Sequence, residues 1–554
     1  MDVGENLWRK QVYMKKKFQI DGIIFWPGVG ILLALIAYGF FANNSFVNVM
    51  TFLYNIVTDW TGWFMLLVTA LILILCFVVC LTPLGNKKVG GPNAQIEHGM
   101  FSWIAMVTCA GTATAVVFYA VGEPITYFHN PPAFWTGFQP GTMDTAVRSV
   151  SQAAFHWSFI YYAMYAFWGL IAGYMISNHH LPARPSSALY PILKDKIYGP
   201  VGKVFDVISL LGLVGGMVTS LGLGVQQFAA GLDYVFGITP SNLVYIVTLV
   251  LVICSFTFSS ARGVKKGMRI ISDVNAWIYI GVIAFLFIAG PTVFEFKLLT
   301  QVTGEIFSRF IPNITAADSF DVGSGWISNN TVFFVAWVMA YAPLMGVFQG
   351  KVGRGYTWRR FLLVNVLGPG LFNVIWFVAF GGNAIFLDAF KNAGIGAEVA
   401  SKGMPIANYA LLKQMPLSSV MIPLVVAALF FGFVTLADAM TGTLAKMTIK
   451  SEFNEETGRE EEDEAPVQMK IVWGAVVGLD TFLCLFCLGT VGTGALQFMS
   501  VIFGLPIFIA TLAVICGLGK MCSGRLDDEL AALSPAQRKA LRSGKPASSV
   551  KEDN

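Results

Sequence analysis

Residues 62–83, GWFMLLVTALILILCFVVCLTP, contain no charged side chain. A helix needs about 20 consecutive apolar residues to cross the roughly 30 Å hydrocarbon layer of a bilayer, and this run supplies them. Runs of the same kind occur at 22–42, 100–128, 147–176, 204–236, 241–260, 274–296, 328–349, 358–387, 417–447, 470–490 and 495–518. Lipid offers no partner to a backbone N–H or C=O, so apolar spans of this length are expected as helices. The predicted fold class is therefore an all-α membrane protein of twelve transmembrane helices. Composition agrees: 56% of the 554 residues are hydrophobic and 12% charged, whereas soluble domains run near a quarter charged.

The charges test that count. Lys and Arg favour cytoplasmic loops, and here they fall in alternate connections. Lys10, Lys15, Lys16 and Lys17 precede the first span; Lys87 and Lys88 follow the second; Arg184, Lys194 and Lys196 follow the fourth. Arg262, Lys265, Lys266 and Arg269 follow the sixth, and Lys351, Arg354, Arg359 and Arg360 the eighth. The connections at 43–61 and 237–240 have none, and those at 129–146, 297–327 and 388–416 have few. Twelve helices with both termini in the cytoplasm fit this pattern, placing the chain in the inner membrane with the lipid bilayer as its surroundings.

Other classes find little support. The net charge of +4 gives no basic cluster interleaved with aromatics, so no nucleic acid partner is expected. The eight cysteines are scattered, and the Cys484–Cys487 pair sits inside an apolar run, where small buried residues are the expectation rather than a metal or redox site. No metal-ligand cluster, nucleophile–base pair or phosphate loop points to an enzyme, and no cofactor is expected. Residues 297–314, KLLTQVTGEIFSRFIPNI, are too short and polar to span and read as an amphipathic helix at the outer interface. The acidic stretch Glu455 to Glu464 and the tail after Arg525 are expected in solvent, the tail with a short surface helix.

Polar or helix-breaking residues inside spans cost free energy and usually line a pathway. In the third span, Ala110-Gly111-Thr112-Ala113-Thr114-Ala115 permits either close helix packing or an unwound turn facing a ligand. The eighth span holds Pro343 and Gly346, and two interrupted helices would mark a midplane substrate site. Phe155-His156-Trp157 precedes Tyr161, Tyr162 and Tyr165, with Trp157, Tyr162 and Tyr165 able to share one helical face. Phe333, Trp337 and Tyr341 recur at i, i+4, i+8, one stripe. Such stripes serve helix packing or, since Trp and Tyr faces attract cations, a cage for a cationic group. His156 reads as a structural histidine.

These residues resemble the betaine/choline/carnitine transporter family. Phe101-Ser102-Trp103 through Gly122-Glu123-Pro124 is similar to the family's third helix, Phe155-His156-Trp157 to its fourth, and Arg184-Pro185-Ser186-Ser187 to the segment after it. Lys266-Gly267-Met268-Arg269 with Ser272-Asp273, Gly353-Arg354-Gly355-Tyr356-Thr357 and Ala437-Asp438 resemble later landmarks, in the family's order over about residues 18 to 518. The resemblance implies an alternating-access carrier built on the LeuT plan and typically trimeric. Residues 1–20 would be a cytoplasmic segment and 21–98 two extra helices. Residues 99–296 and 327–520 would be two inverted five-helix repeats, 297–326 the interfacial helix and loop, and 521–554 a cytoplasmic tail.

By the same resemblance, aromatics of the fourth and eighth helices box a trimethylammonium group. Trp157 and Tyr165 match two walls, and Tyr162 stands where a Trp is usual. The family's Trp-Trp pair is here Trp337-Val338, and Tyr341 takes the place of another Trp or Tyr; Phe333, Met345, Thr112 and Thr114 complete the candidate substrate set. One cation–π contact is worth about 0.5–2 kcal/mol, so Val338 is expected to weaken quaternary-ammonium binding about tenfold. The expected substrate is a small zwitterion, including one with hydrogen-bond donors or a bulkier body. Candidate ion-coupling residues are Thr435, Ala110, Glu123 and Asp438, for Na+ or H+. Leu436 follows Thr435 where sodium-coupled members have Ser, and Ala115 stands where proton-coupled members have Asp. Asn275 stands where the sodium-independent exchanger has Arg. Exchange without an ion and a solute-binding osmosensor are the alternatives.

Overall fold

The computed structural model describes residues 19–112, 115–261, 264–320, 322–450, 453–454, 459–460, 465–491 and 497–550. Nearly all of it is helix; the strands among the described residues are the antiparallel pair Phe453–Asn454 and Arg459–Glu460, within the stretch expected as an acidic loop. Ten helical stretches are long and apolar enough to cross a membrane. In chain order the main helices are α1 (Gly22–Phe41), α2 (Asn43–Leu81), α3 (Met100–Thr112), α4 (Ala115–His129), α5 (Met143–Trp157), α6 (Phe159–His179), α7 (Pro200–Phe236) and α8 (Asn242–Ala261). They continue with α9 (Val264–Ala289), α10 (Thr292–Ser308), α11 (Phe333–Val352), α12 (Trp358–Phe377), α13 (Asn383–Lys391), α14 (Ser418–Met447), α15 (Val467–Val491) and α16 (Phe498–Cys522). Each expected span meets a helix. The third, whose described residues lie in α3 and α4, and the sixth, α8, lie outside the ten.

Three expectations are corrected. The segment 43–61 is no loop: α2 runs through it, because Phe46, Val47, Met50, Tyr54 and Val57 recur at helical spacing and all are buried. The eighth span is not interrupted. A π-turn at Ser328–Val332 leads into α11, which continues through Pro343. Its glycines serve contact rather than unwinding. A Cβ at Gly346 would stand 2.8 Å from Gly169 N, and one at Gly350 2.5 Å from the Gly173 Cα, so α11 and α6 approach backbone to backbone. The break lies instead in the fourth span, at Ser158, whose φ of −107° and ψ of −115° separate α5 from α6. No Gly or Pro marks it.

The tail is the third correction. It carries α17 (Arg525–Ala531) and α18 (Pro535–Arg542), the latter opened by a Ser534/Gln537 capping box. Leu526, Leu530 and Leu541 are buried, which seats both helices on the loops that carry Lys and Arg. Asp527 receives Lys87 Nζ at 3.1 Å and the Tyr174 hydroxyl at 2.9 Å, with His179 Nε2 at 3.1 Å. Tyr198 donates to Leu541 O at 3.1 Å. The same basic face gathers the start of α1: Asp21 takes Arg184 at 2.9 Å and Lys203 at 2.7 Å. Burial alone would raise the Asp21 carboxyl, but these two cations hold it below the ordinary range.

Candidate solute-binding site

The Ser158 break builds the site. It frees the Trp157 carbonyl, which accepts from Asn373 Nδ2 of α12 at 2.6 Å; a buried carbonyl without that donor would be costly. Held there, the Trp157 indole meets the Tyr119 ring of α4 in a stack at 5.3 Å and the Phe334 ring at 4.7 Å. Trp337 of α11 approaches it edge-on, at 5.7 Å and 88°. Tyr161 stands 5.6 Å away on α6 and donates to Gly111 O at 2.7 Å, and Tyr165 follows it at 5.1 Å. All of these rings are buried.

Each wall is tied at its polar edge. Trp337 Nε1 donates to Gly216 O on α7 at 3.2 Å, and Phe333 stacks on its ring at 5.4 Å. Tyr341 shares a 2.7 Å hydrogen bond with Ser220 Oγ. It lies so close to α7 that a Cβ at Gly216 would come within 2.5 Å of its ring. Trp157 Nε1 donates to Glu123 Oε2 at 2.8 Å, while Glu123 Oε1 contacts His156 Nδ1. His156 Nε2 in turn faces Gln152 Nε2 at 2.9 Å and Thr331 Oγ1 at 3.0 Å. A carboxylate on the indole N–H polarises the ring and enriches its face in electron density, the property a cation reads. Towards the face opposite the basic one, Tyr127, Phe134 and Trp135 pack on Trp326, with the Arg148 guanidinium 4.6 Å above the Trp135 ring.

The structure thus brings Trp157, Trp337, Phe333, Tyr165 and Tyr341 into one region around α5, α6, α7 and α11. Tyr162 packs on the Tyr161 ring at 4.9 Å, takes Asn373 Nδ2 at 3.4 Å, and its ring would meet a Cβ on Gly111 at 2.8 Å. Tyr161 and Tyr165 share a face of α6, and Trp157 reaches Tyr161 from across the Ser158 break. Val338 and Met345 are buried in α11. Thr114 and the side chains of Thr112 and Ala110 lie outside the described residues. Thr435 donates to Phe431 O within α14 at 2.9 Å, and Asp438 pairs with Lys470 of α15 at 3.0 Å. Sequence reading missed Tyr119, Phe334 and Ser220, although Tyr119 lies one turn before Glu123 and so shares its face.

Residues 23–525 match the betaine/carnitine/choline family of transporters. The chain belongs to that family. It is 30% identical over 486 residues to a probable glycine betaine transporter of Desulfitobacterium hafniense, covering 88% of this chain and 94% of that one. It is 30% identical over 514 residues to the high-affinity choline transport protein of Escherichia coli K12, covering 92% and 73%. An ectoine/hydroxyectoine transporter of Virgibacillus pantothenticus is 28% identical over 509 residues, covering 92% and 97%. The protein is a multi-pass membrane transporter, not an enzyme.

Proposed function

We propose that this protein carries a small zwitterion by alternating access, with its cationic end against Trp157, Trp337 and Tyr341. One observation carries the reading. The Trp157–Trp337 edge-to-face pair is fixed at both indole nitrogens, while the Tyr341–Ser220 hydroxyl pair lies one turn along α11 from Trp337. Two aromatic walls suit a cation; the hydroxyls favour a solute that also offers hydrogen-bond donors. Of the solutes named for its relatives, an ectoine-like ring with N–H donors fits this wall better than the fully methylated headgroup of glycine betaine or choline. The basic face would lie in the cytoplasm, with both termini there, in an inner membrane and in a homotrimer.

The test is a thermal-shift screen of the purified protein with ectoine, glycine betaine and choline, followed by counterflow of the labelled hit in proteoliposomes. A ligand that binds the folded state raises its stability. Ectoine is expected to stabilise most. Stabilisation mainly by glycine betaine would show that Val338 leaves the box intact, and binding without counterflow would convert the carrier into a sensor.

A further inference from the structure

Among the described residues, four carboxyl side chains inside the spanning helices are buried: Glu123, Asp206, Asp438 and Asp480. Three have partners. Glu123 holds His156 and Trp157, Asp206 takes the Ser186 amide at 2.9 Å and its hydroxyl at 3.0 Å, and Asp438 pairs with Lys470. Asp480, at the middle of α15 and 1% exposed, has Oδ2 without any hydrogen-bond partner and forms no ion pair among the described residues.

Among the described residues, none around it supplies a counter-charge. α15 packs against α1, α2, α7, α8 and α14. The bases on these helices and on α15 itself stand in terminal turns: Lys203 of α7, bound to Asp21; Lys446 of α14; and Lys470, bound to Asp438. Lys470 is ten residues from Asp480, ~15 Å along the helix. Tyr38 of α1 bonds Ser45, Tyr54 of α2 donates to Ser328 O, and Asp59 is exposed. Cys76 and Cys80 lie near the end of α2, Asp233 and Tyr234 in the last turn of α7, and Tyr245 and Cys254 on α8. On α15, Cys484 is the thiol one turn beyond. An isolated carboxylate in such surroundings is among the most costly groups to bury, and the neutral acid is far cheaper.

We propose that Asp480 is the coupling-proton site of this transporter: its carboxyl takes up a proton from the outer solution, carries it buried, and releases it where α15 becomes hydrated. The site is joined to the solute box by one helix. Gly216 of α7 touches Trp337 and Tyr341, and the next residue, Met217, lines a small apolar cavity against Gly474, Val477 and Gly478 of α15. That cavity lies about one turn from Asp480.

The inference rests on the carrier reading, and the experiment separates the two. Proteoliposomes holding wild-type protein or D480N are assayed with labelled ectoine and glycine betaine, by counterflow and by accumulation under an outward-acid pH gradient. Wild type is expected to do both. D480N is expected to keep counterflow within about twofold while losing the pH-driven accumulation, since exchange returns the solute without moving the proton. Accumulation by D480N equal to wild type overturns the proposal, as does wild-type accumulation driven by a sodium gradient and indifferent to pH. Absence of wild-type counterflow removes the carrier reading instead. Should D480N fail to assemble, D480E keeps an acid at the site and is expected to accumulate solute with a shifted pH profile; an unshifted profile overturns the assignment.

Discussion

Replacing Glu123 by Ala removes the acceptor of two buried donors at once, the Trp157 indole N–H and the His156 imidazole edge. A buried donor left without a partner costs about 1–3 kcal/mol, so Glu123→Ala is expected to lose roughly 2–6 kcal/mol of stability. It should also lose solute affinity, because Trp157 is then oriented by ring packing alone. Glu123→Gln behaves differently. Its carbonyl still accepts from Trp157. Its amide can donate to His156 Nδ1 if the imidazole carries its proton on Nε2, where Thr331 Oγ1 waits at 3.0 Å and the Gln152 amide, at 2.9 Å, must turn its oxygen to the ring. The cost then falls to about 1 kcal/mol, that of one altered hydrogen bond. The assay pairs thermal unfolding in detergent with solute titration by intrinsic tryptophan fluorescence. The expected order in both is wild type, then Gln, then Ala, with Ala weakening affinity at least tenfold. A Gln variant as damaged as Ala would refute the hydrogen-bond argument, and an Ala variant with native affinity would show that Glu123 does not orient the box.

Glu295 in the first turn of α10 is fully buried, bonded to Asn383, and pushed up to about 8 by burial, against an ordinary 4.5. From pH 4.5 to about 8 the folded protein keeps a proton that the unfolded chain has lost, so stability should fall with rising pH across that window and level off above it. Glu295→Gln should flatten this part of the stability–pH curve, and parallel curves for the two proteins would exclude the effect. Gly350→Ala would place a methyl 2.5 Å from the Gly173 Cα and 2.9 Å from Gly169 O. Backbone cannot rotate away, so at least the 1–3 kcal/mol typical of overpacking is expected, and an unchanged melting temperature would show that α6 and α11 can separate without loss.

The helices and their number of apolar runs were legible because bilayer thickness sets a length and lipid forbids unpaired backbone; both constraints act on local sequence. The stripe Phe333–Trp337–Tyr341 was legible for a related reason, since i, i+4 spacing places residues on one face without reference to the rest of the fold; in the fourth span the sequence offered Trp157, Tyr162 and Tyr165, and the Ser158 break sets Trp157 apart. The partners were not. Glu123 reads as an isolated acid beside Pro124, and His156 as a structural histidine 33 positions later; only the packing of α4 on α5 turns them into a pair that holds Trp157. Ser158 breaks its helix with no Gly or Pro, because the compensating donor, Asn373, arrives from α12.

What the sequence by itself determined, then, is the membrane class, the family and the aromatic character of the box. The tertiary structure decided which charges are satisfied. Asp438 and Asp480 look alike in sequence, each an acid within an apolar helix, yet one meets Lys470 at 3.0 Å and the other meets no base among the described residues. The physical reason is that Coulomb energy depends on distance in space and on the dielectric around the pair, and neither can be read from position along the chain.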